Sequence, residues 1–445
     1  ESDLRDYSAL FLRGNGTKDC LSGHLVPYYK EWELFFDRGT HIKELAPYAA
    51  RTVGKRSLPW RYVVISDSKG ILEQTLTYQL GGKNEIEDTS WIKPGQVSWD
   101  WWNHKSIYGP DVNFKPGCNT ETYKYYIDFA AKYKIPYIIM DEGWAKSTFE
   151  PFEANPDLDL HECIRYGKDK GVGIILWLTW ICVERNLDTL FATYADWGVA
   201  GAKIDFMNRQ DQWMINWYER TIKEAAKHHL VVDFHGAMKP AGLEVRYPNL
   251  LAYEAVRGLE QMSGCQPDNT VYIPFIRNAV GAADFTPGAM VNTQPEFDKW
   301  SDPNCSAVGT RAYSMALFTV METGTQMLAD SPTQYYKNAE CTEFITQVPC
   351  TWDETRALQA KFGEYIIVAK RNGRKWFVAG ICNGKENTRH FKIPLDFLSA
   401  GNHSMTIVTD GFNAGNQAMD YRLNKQEVTS STVLDITMVR NGGFT

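Results

Sequence analysis

Apolar runs of strand length alternate with amphipathic stretches of helical length through the middle of this chain, and most of the runs end in acidic, aromatic or histidine residues. The runs are Val97 to Trp102, Tyr137 to Trp144, Gly173 to Trp180, Val199 to Met207, Leu230 to Gly236, Leu250 to Gly258, Val271 to Gly281 and Thr325 to Pro332. Between them, helical periodicity covers Thr120 to Lys134, Asp159 to Lys170, Arg185 to Trp197, Asp211 to His229 and Ala312 to Thr323. Near-continuous apolar runs suit parallel strands buried on both faces, which need crossover helices between them. Eight such units predict an α/β fold, a (β/α)8 TIM barrel over residues 96–352, with its chemistry at the carboxyl ends of the strands.

The polar residues sit where that prediction wants them. The first run carries Ser98, Asp100 and Trp101, the second Asp141, Glu142 and Trp144, and the third Trp177 and Trp180. The fourth delivers Lys203 and Asp205, two residues apart and so on one face of a strand. The fifth ends in Asp233 and His235, the sixth leads to Glu254, Arg257 and Glu260, and the last ends in Asp330. Carboxylates accept sugar hydroxyl protons and tryptophan offers a flat apolar face to a pyranose, so this ring of residues predicts a carbohydrate pocket. Asp100, Asp233 and Asp330 also suit loop-holding roles and stay outside the catalytic set.

Outside the barrel the pattern changes. Residues 1–95 contain strand-like stretches at His24 to Phe36, Pro59 to Ser66 and Ile71 to Leu80, too few for a sandwich of their own. They are expected to lean on the barrel or to complete strands from a longer parent chain. Over 353–445, a helix-like Glu354 to Phe362 precedes short alternating runs at Tyr365 to Lys370, Lys375 to Ile381, Thr388 to Ile393, Ser404 to Asp410 and Ser430 to Val439. Turn pairs Asn372-Gly373, Asn383-Gly384 and Asp410-Gly411 break them, which predicts a small antiparallel β-domain.

Composition narrows the function classes. A net charge of −7 with no basic stripe argues against nucleic-acid binding. No run reaches the ~18 apolar residues of a membrane span. The 15 tryptophans and 13% aromatic content fit sugar recognition. Nine cysteines lack metal-type spacing and fix neither a disulfide framework nor a redox compartment.

Taken in order along one chain, several motifs resemble glycoside hydrolase family 97. They are Glu1-Ser2-Asp3-Leu4, Ser98-Trp99-Asp100-Trp101-Trp102, Asp141-Glu142-Gly143-Trp144, Lys203-Ile204-Asp205-Phe206 and Asp233-Phe234-His235-Gly236 with Lys239-Pro240. Glu254-Ala255-Val256-Arg257-Gly258-Leu259-Glu260 and Gln326-Met327-Leu328-Ala329-Asp330-Ser331-Pro332 complete the series, which spans nearly the whole chain. The resemblance implies that residues 1–95 are the last part of an N-terminal β-super-sandwich with its linker, ahead of the barrel and a C-terminal β-sandwich.

That resemblance also implies roles. Inverting members of the family carry a glutamate directly after the fifth-strand histidine and lack the fourth-strand aspartate, whereas this chain has Gly236 and keeps Asp205. It therefore looks like a retaining member, with Asp205 as nucleophile and Glu260 as general acid/base. Retention calls for two carboxyls about 5–5.5 Å apart, one ionised and one protonated. On that logic Lys203 should keep Asp205 ionised, and Glu260 should have a raised pKa. Glu142, Lys203 and His235 match sugar-binding positions, and Trp101, Asp141 and Arg257 are placed beside them. A calcium ion (Ca2+) held by Glu1, Glu254 and Glu260 is implied too.

The expected activity is an exo-acting retaining α-glycosidase, most specifically an α-galactosidase acting on an oligosaccharide or other small glycoside, in the periplasm. An α-glucosidase of the same family and a carbohydrate-binding barrel without turnover are the alternatives. A metallohydrolase of the amidohydrolase kind is disfavoured, since the single His104 after the first run supplies no His-x-His pair.

Overall fold

The computed structural model describes residues 1–299, 301 and 303–445. Its centre is a sheet of seven parallel strands: Gly95–Trp99, Tyr137–Met140, Gly173–Thr179, Gly201–Asp205, Val231–Phe234 and Leu250–Tyr253 follow one another side by side, and Thr325–Leu328 pairs with the first. The alternation of these strands with helices Thr120–Tyr133, Leu160–Asp169, Trp180–Trp197, Gln212–Lys227 and Arg311–Val320 is the expected TIM-barrel arrangement.

The seventh strand, expected at Val271 to Gly281, is not there. Those residues form short helices, Ile273–Ile276 and a 3-10 turn at Asn278–Val280. Pro274 is one reason, because a proline cannot donate to a sheet ladder and is readily placed in the first turn of a helix. The gap between the sixth and last strands is instead crossed by an irregular segment a few residues later. Ala283 N donates to Glu322 O at 2.7 Å, Asp284 N to Tyr253 O at 3.0 Å, and Ala329 N to Pro287 O at 2.9 Å. Pro287 and the left-handed Thr286 and Gly288 prevent a regular ladder here.

The strands are buried on both sides, as their apolar composition requires, with Ile138, Met140, Leu176, Ile204, Val232 and Phe234 all within the core. Helix ends are capped by the residues the sequence supplies. Asn119, Asp159, Thr179 and Thr310 each accept a backbone N–H of the following first turn.

Before the barrel, two antiparallel hairpins pair Leu10–Gly14 with Leu21–Leu25 and Tyr29–Phe35 with Gly39–Leu45. Pro27 divides the expected His24 to Phe36 strand between them. Trp32 docks the second hairpin on the barrel helices, its ring 5.3 Å from that of Trp213 and 4.4 Å from the guanidinium of Arg209. Pro59 to Ser66 is not a strand; only Trp60 bridges, to Ser2. Ile71 to Leu80 is helical rather than extended, in Ser68–Glu73 and Leu76–Gln79, because Asp67 caps the first turn through Gly70 N.

After the barrel, the helix expected at Glu354 to Phe362 is a strand, Glu354–Lys361, paired with Tyr365–Asn372 through a bulge. Its local helical preference yields to an antiparallel partner three residues of turn away. Five further strands were legible in part, whereas Tyr421–Val428 and Gly443–Phe444 were missed. Together they make a six-stranded sheet faced by the pair Thr388–Pro394 and Val433–Val439. No helix among the described residues is long and apolar enough to cross a membrane.

Candidate active site

The carboxyl ends of the strands gather the titratable residues into two groups, one on each side of Asp205. Lys203 and Asp205 both point into the barrel and are buried, as the two-residue spacing requires. Asp205 takes the indole N–H of Trp177 at 3.2 Å and its own neighbour's amide, Phe206 N, at 2.6 Å.

On one side, Lys203 Nζ bonds Asp141 Oδ2 at 2.7 Å and lies 4.7 Å from the ring centre of Trp99, whose indole N–H also donates to Asp141 at 2.6 Å. Behind them Asp100 accepts from Asp141 N, from the Tyr123 hydroxyl and from Lys105. Asp100 thus holds the loop, the second role its position allowed. Burial disfavours the Lys203 charge, but Asp141, Glu260 and Asp205 outweigh it and raise its pKa.

On the other side, acids outnumber cations. His235 Nε2 is 2.6 Å from Asp284 Oδ2 and 3.7 Å from Asp233 Oδ2, while Nδ1 is 3.5 Å from Glu260 Oε2 and 3.9 Å from Glu254 Oε1. Burial and Lys203 oppose its charge, yet Glu254, Asp284 and Glu260 push its pKa well up. Asp233 is pushed well up by burial and then by Asp284. Asp284 was absent from the sequence reading because it lies on the irregular seventh segment, outside every apolar run.

The expected pKa order is reversed in this geometry. Burial pushes Asp205 up to about 6, with Glu254 and Glu260 adding to it against the attraction of His235 and Lys203. Glu260 is held below the usual range: burial would raise it, but the His235 contact and the charge of Lys203 prevail. The reason is placement, since Lys203 spends its hydrogen bond on Asp141 and His235 sits against Glu260.

The other expected contacts are dispersed. Glu142 is part-exposed and bonded by Arg38 at 2.8 Å, from the tip of the second N-terminal hairpin. Arg38 also stacks over the ring of Phe206, 4.7 Å away. Trp101 is half-buried and stacks on Trp99 at 6.1 Å. Arg257 is exposed on the loop after the sixth strand, against Gly264. Trp144 and Trp180 are packing residues: the first donates to Trp177 O, and the second joins the cluster with Trp32, Trp213 and Trp217. Asp330 holds a loop, accepting from Met290 N and Ser331 N.

Two of the three carboxylates implied for calcium converge. Oxygens of Glu254 and Glu260 lie with a His235 nitrogen within 4.8 Å of one another. Glu260 Oε2 is buried with no hydrogen-bond partner among the described residues. Hard oxygen donors with an unmatched buried oxygen fit a calcium ion. Glu1 is turned elsewhere, to Leu10 N, Lys239 and Arg61.

His235 is followed by Gly236 at φ +52°, where a Cβ would meet Phe206 N at 2.9 Å. Its amide donates to Glu254 at 2.7 Å. Any side chain at this position would be strained and would press on the residue next to Asp205.

Comparison with known proteins places the chain in a family. The model described as Glycoside hydrolase 97 matches residues 101–256, and that described as Glycosyl-hydrolase 97 C-terminal, oligomerisation, matches residues 351–445. A retaining alpha-galactosidase of Bacteroides thetaiotaomicron is 38% identical, over 100% of this chain and 68% of its own length. A probable retaining alpha-galactosidase of Streptomyces bingchenggensis is 32% identical, over 88% of this chain and 58% of its own. Among solved structures, a glycoside hydrolase family 97 enzyme from Pseudoalteromonas sp. strain K8 in complex with acarbose superposes with a TM-score of 0.79 at 25% identity, covering 100% of this chain and 71% of that one.

Proposed function

This chain belongs to glycoside hydrolase family 97, and on that footing we propose that it is a retaining exo-α-glycosidase, specifically an α-galactosidase, with Asp205 as nucleophile and Glu260 as acid/base. The observation that carries the retaining reading is the pair Asp205 and Gly236. A carboxylate is present at the end of the fourth strand, and the residue after His235 has no room for the side chain of a second base.

In the first step Asp205 attacks the anomeric carbon as the bond to the aglycone oxygen breaks, and that oxygen takes the proton of the Glu260 carboxyl. In the second, water gives a proton to Glu260 and attacks the same carbon, freeing Asp205. The proton that Glu260 gives up in the first step is the one it regains from water in the second, so the pair returns to its starting state each turnover. Two inversions return the α-anomer.

Lys203, His235, Glu142, Asp141, Trp101 and Arg257 are assigned to the sugar or to orienting the groups that bind it. Lys203 and His235 offer donors to hydroxyls, and Trp101 an apolar face. Calcium, held by Glu254 and Glu260, would supply positive charge beside the sugar and offset the surplus of acids, whereas Glu1, implied as a third carboxylate, is engaged by Leu10 N, Lys239 and Arg61. The substrate preference for galactoside over glucoside follows the two named relatives, and a periplasmic location follows the family resemblance.

The test is hydrolysis of p-nitrophenyl α-galactoside and α-glucoside, followed by NMR of the first sugar released. The α-anomer of galactose is expected; the β-anomer would refute retention. Asp205→Ala should cut turnover on the order of 10⁴-fold and regain part of it with azide.

A further inference from the structure

We propose that the irregular segment 283–286, which takes the place of the seventh barrel strand, is the positioning element of the acid/base side, with Asp284 and Thr286 as positioning residues for His235 and Glu260. The inference rests on the retaining reading and assigns residues that neither the motifs nor the named relatives point to.

A regular parallel strand would alternate its side chains and spend its backbone groups on two ladders. This segment is tied to its neighbours by single bonds, Ala283 N to Glu322 O and Asp284 N to Tyr253 O, rather than by continuous ladders. Asp284, 1% exposed, bonds His235 Nε2 at 2.6 Å, which fixes the ring so that Nδ1 faces Glu260 at 3.5 Å and Glu254 at 3.9 Å. A carboxylate behind an imidazole is a common way to fix ring orientation.

Thr286 anchors the other partner. Its Oγ1 accepts the amide of Glu260 at 3.1 Å, and one residue earlier Phe285 O accepts Leu259 N at 3.0 Å. The approach is close enough that a Cβ on Gly258 would meet Phe285 O at 2.6 Å. Thr286 itself sits at φ +56° while buried, a sterically costly conformation for a β-branched residue. Strain of this kind concentrates where the surrounding structure over-determines a functional geometry. The conformation is what turns the hydroxyl toward the Glu260 loop while Asp284, two residues earlier, meets His235.

A segment that only supports the barrel would affect every substrate alike. One that positions the acid/base matters most when the leaving group needs a proton. The experiment compares methyl α-galactoside, whose leaving group needs one, with α-galactosyl fluoride, whose leaving group does not, on Thr286→Val, Thr286→Ser and Asp284→Asn. Thr286→Val and Asp284→Asn are expected to lose about 10²-fold in kcat/KM on the methyl glycoside, with kcat/KM on the fluoride little changed, because that ratio reports the first step alone. Thr286→Ser, which keeps the accepting oxygen, should stay near the parent. In a His235→Ala background Asp284→Asn should add nothing, since the two residues act as one unit.

Equal losses on both substrates, a Ser variant as damaged as the Val variant, or an additive Asp284→Asn would overturn the proposal. Should Thr286→Val not fold, Thr286→Ser and Asp284→Asn carry the same discrimination. Failure of the parent reading looks different: the unaltered protein would release β-galactose first or leave both α-galactosides intact, and the proposal would fall with it.

Discussion

The two flanks of Asp205 differ in how their charge is settled. On the Lys203 flank every charged atom has its partner: Lys203 with Asp141, Lys105 with Asp100, and indole or phenol hydrogens on the remaining lone pairs. On the His235 flank one imidazole faces Asp233, Asp284, Glu254 and Glu260, and among the described residues Glu260 Oε2 has no hydrogen bond. A closed network rigidifies, whereas an open one retains capacity for a cation, a proton or a substrate hydroxyl. The first flank is therefore framework, and the second keeps electrostatic capacity unspent.

Breaking the closed flank should injure stability most. Lys203→Met leaves Asp141 buried without its cation, and the expected loss is about 3–5 kcal/mol, read from the denaturant midpoint. A loss within experimental error would mean that the pair is not framework.

The open flank predicts a smaller, ligand-dependent gain. Calcium at a hundredfold excess over its dissociation constant should add about 2.7 kcal/mol, measured as a rise in melting temperature over chelator-treated protein. Glu254→Gln should abolish the rise, and a rise that survives in that variant would place the ion elsewhere.

The smallest effect sharpens the boundary between the flanks. Asp205, raised to about 6 by burial, must be ionised to attack. Below that pH kcat/KM should fall roughly tenfold per unit. The sign for stability is opposite. A carboxyl whose folded pKa exceeds its unfolded value contributes stability below the unfolded value near 3.9, and loses it as pH rises through about 6. Asp205→Asn, which cannot ionise, should therefore be more stable than the parent at pH 7.5 and no different at pH 3.5. A variant less stable at both would show that ionised Asp205 is held by its neighbours more strongly than burial opposes it.

Much of this was legible along the chain. Strand ends announced Asp205, Lys203, Asp141 and His235 because a parallel barrel strand must be apolar until it reaches the mouth. The helix caps at Asn119, Asp159 and Thr179 went unread, and the helix expected from Arg185 begins at Trp180. Trp180 misled, since an aromatic at a strand end satisfies a pocket and a packing cluster equally well, and only the hairpin carrying Trp32 decides between them. Val271 to Gly281 misled for a related reason, being apolar enough for a strand yet built around Pro274.

By itself, then, the order of apolar runs and their polar ends determined a barrel, the position of its mouth and the carboxylates that face it. Those are properties of periodicity, which acts over a few residues. The tertiary structure alone decided which cation each carboxylate meets: Lys203 turns to Asp141, His235 to Glu260, and Asp284 arrives from a segment with no pattern to betray it. Electrostatics and burial depend on distance in space, so pKa order and the choice of partners emerge only when separate strands are brought side by side.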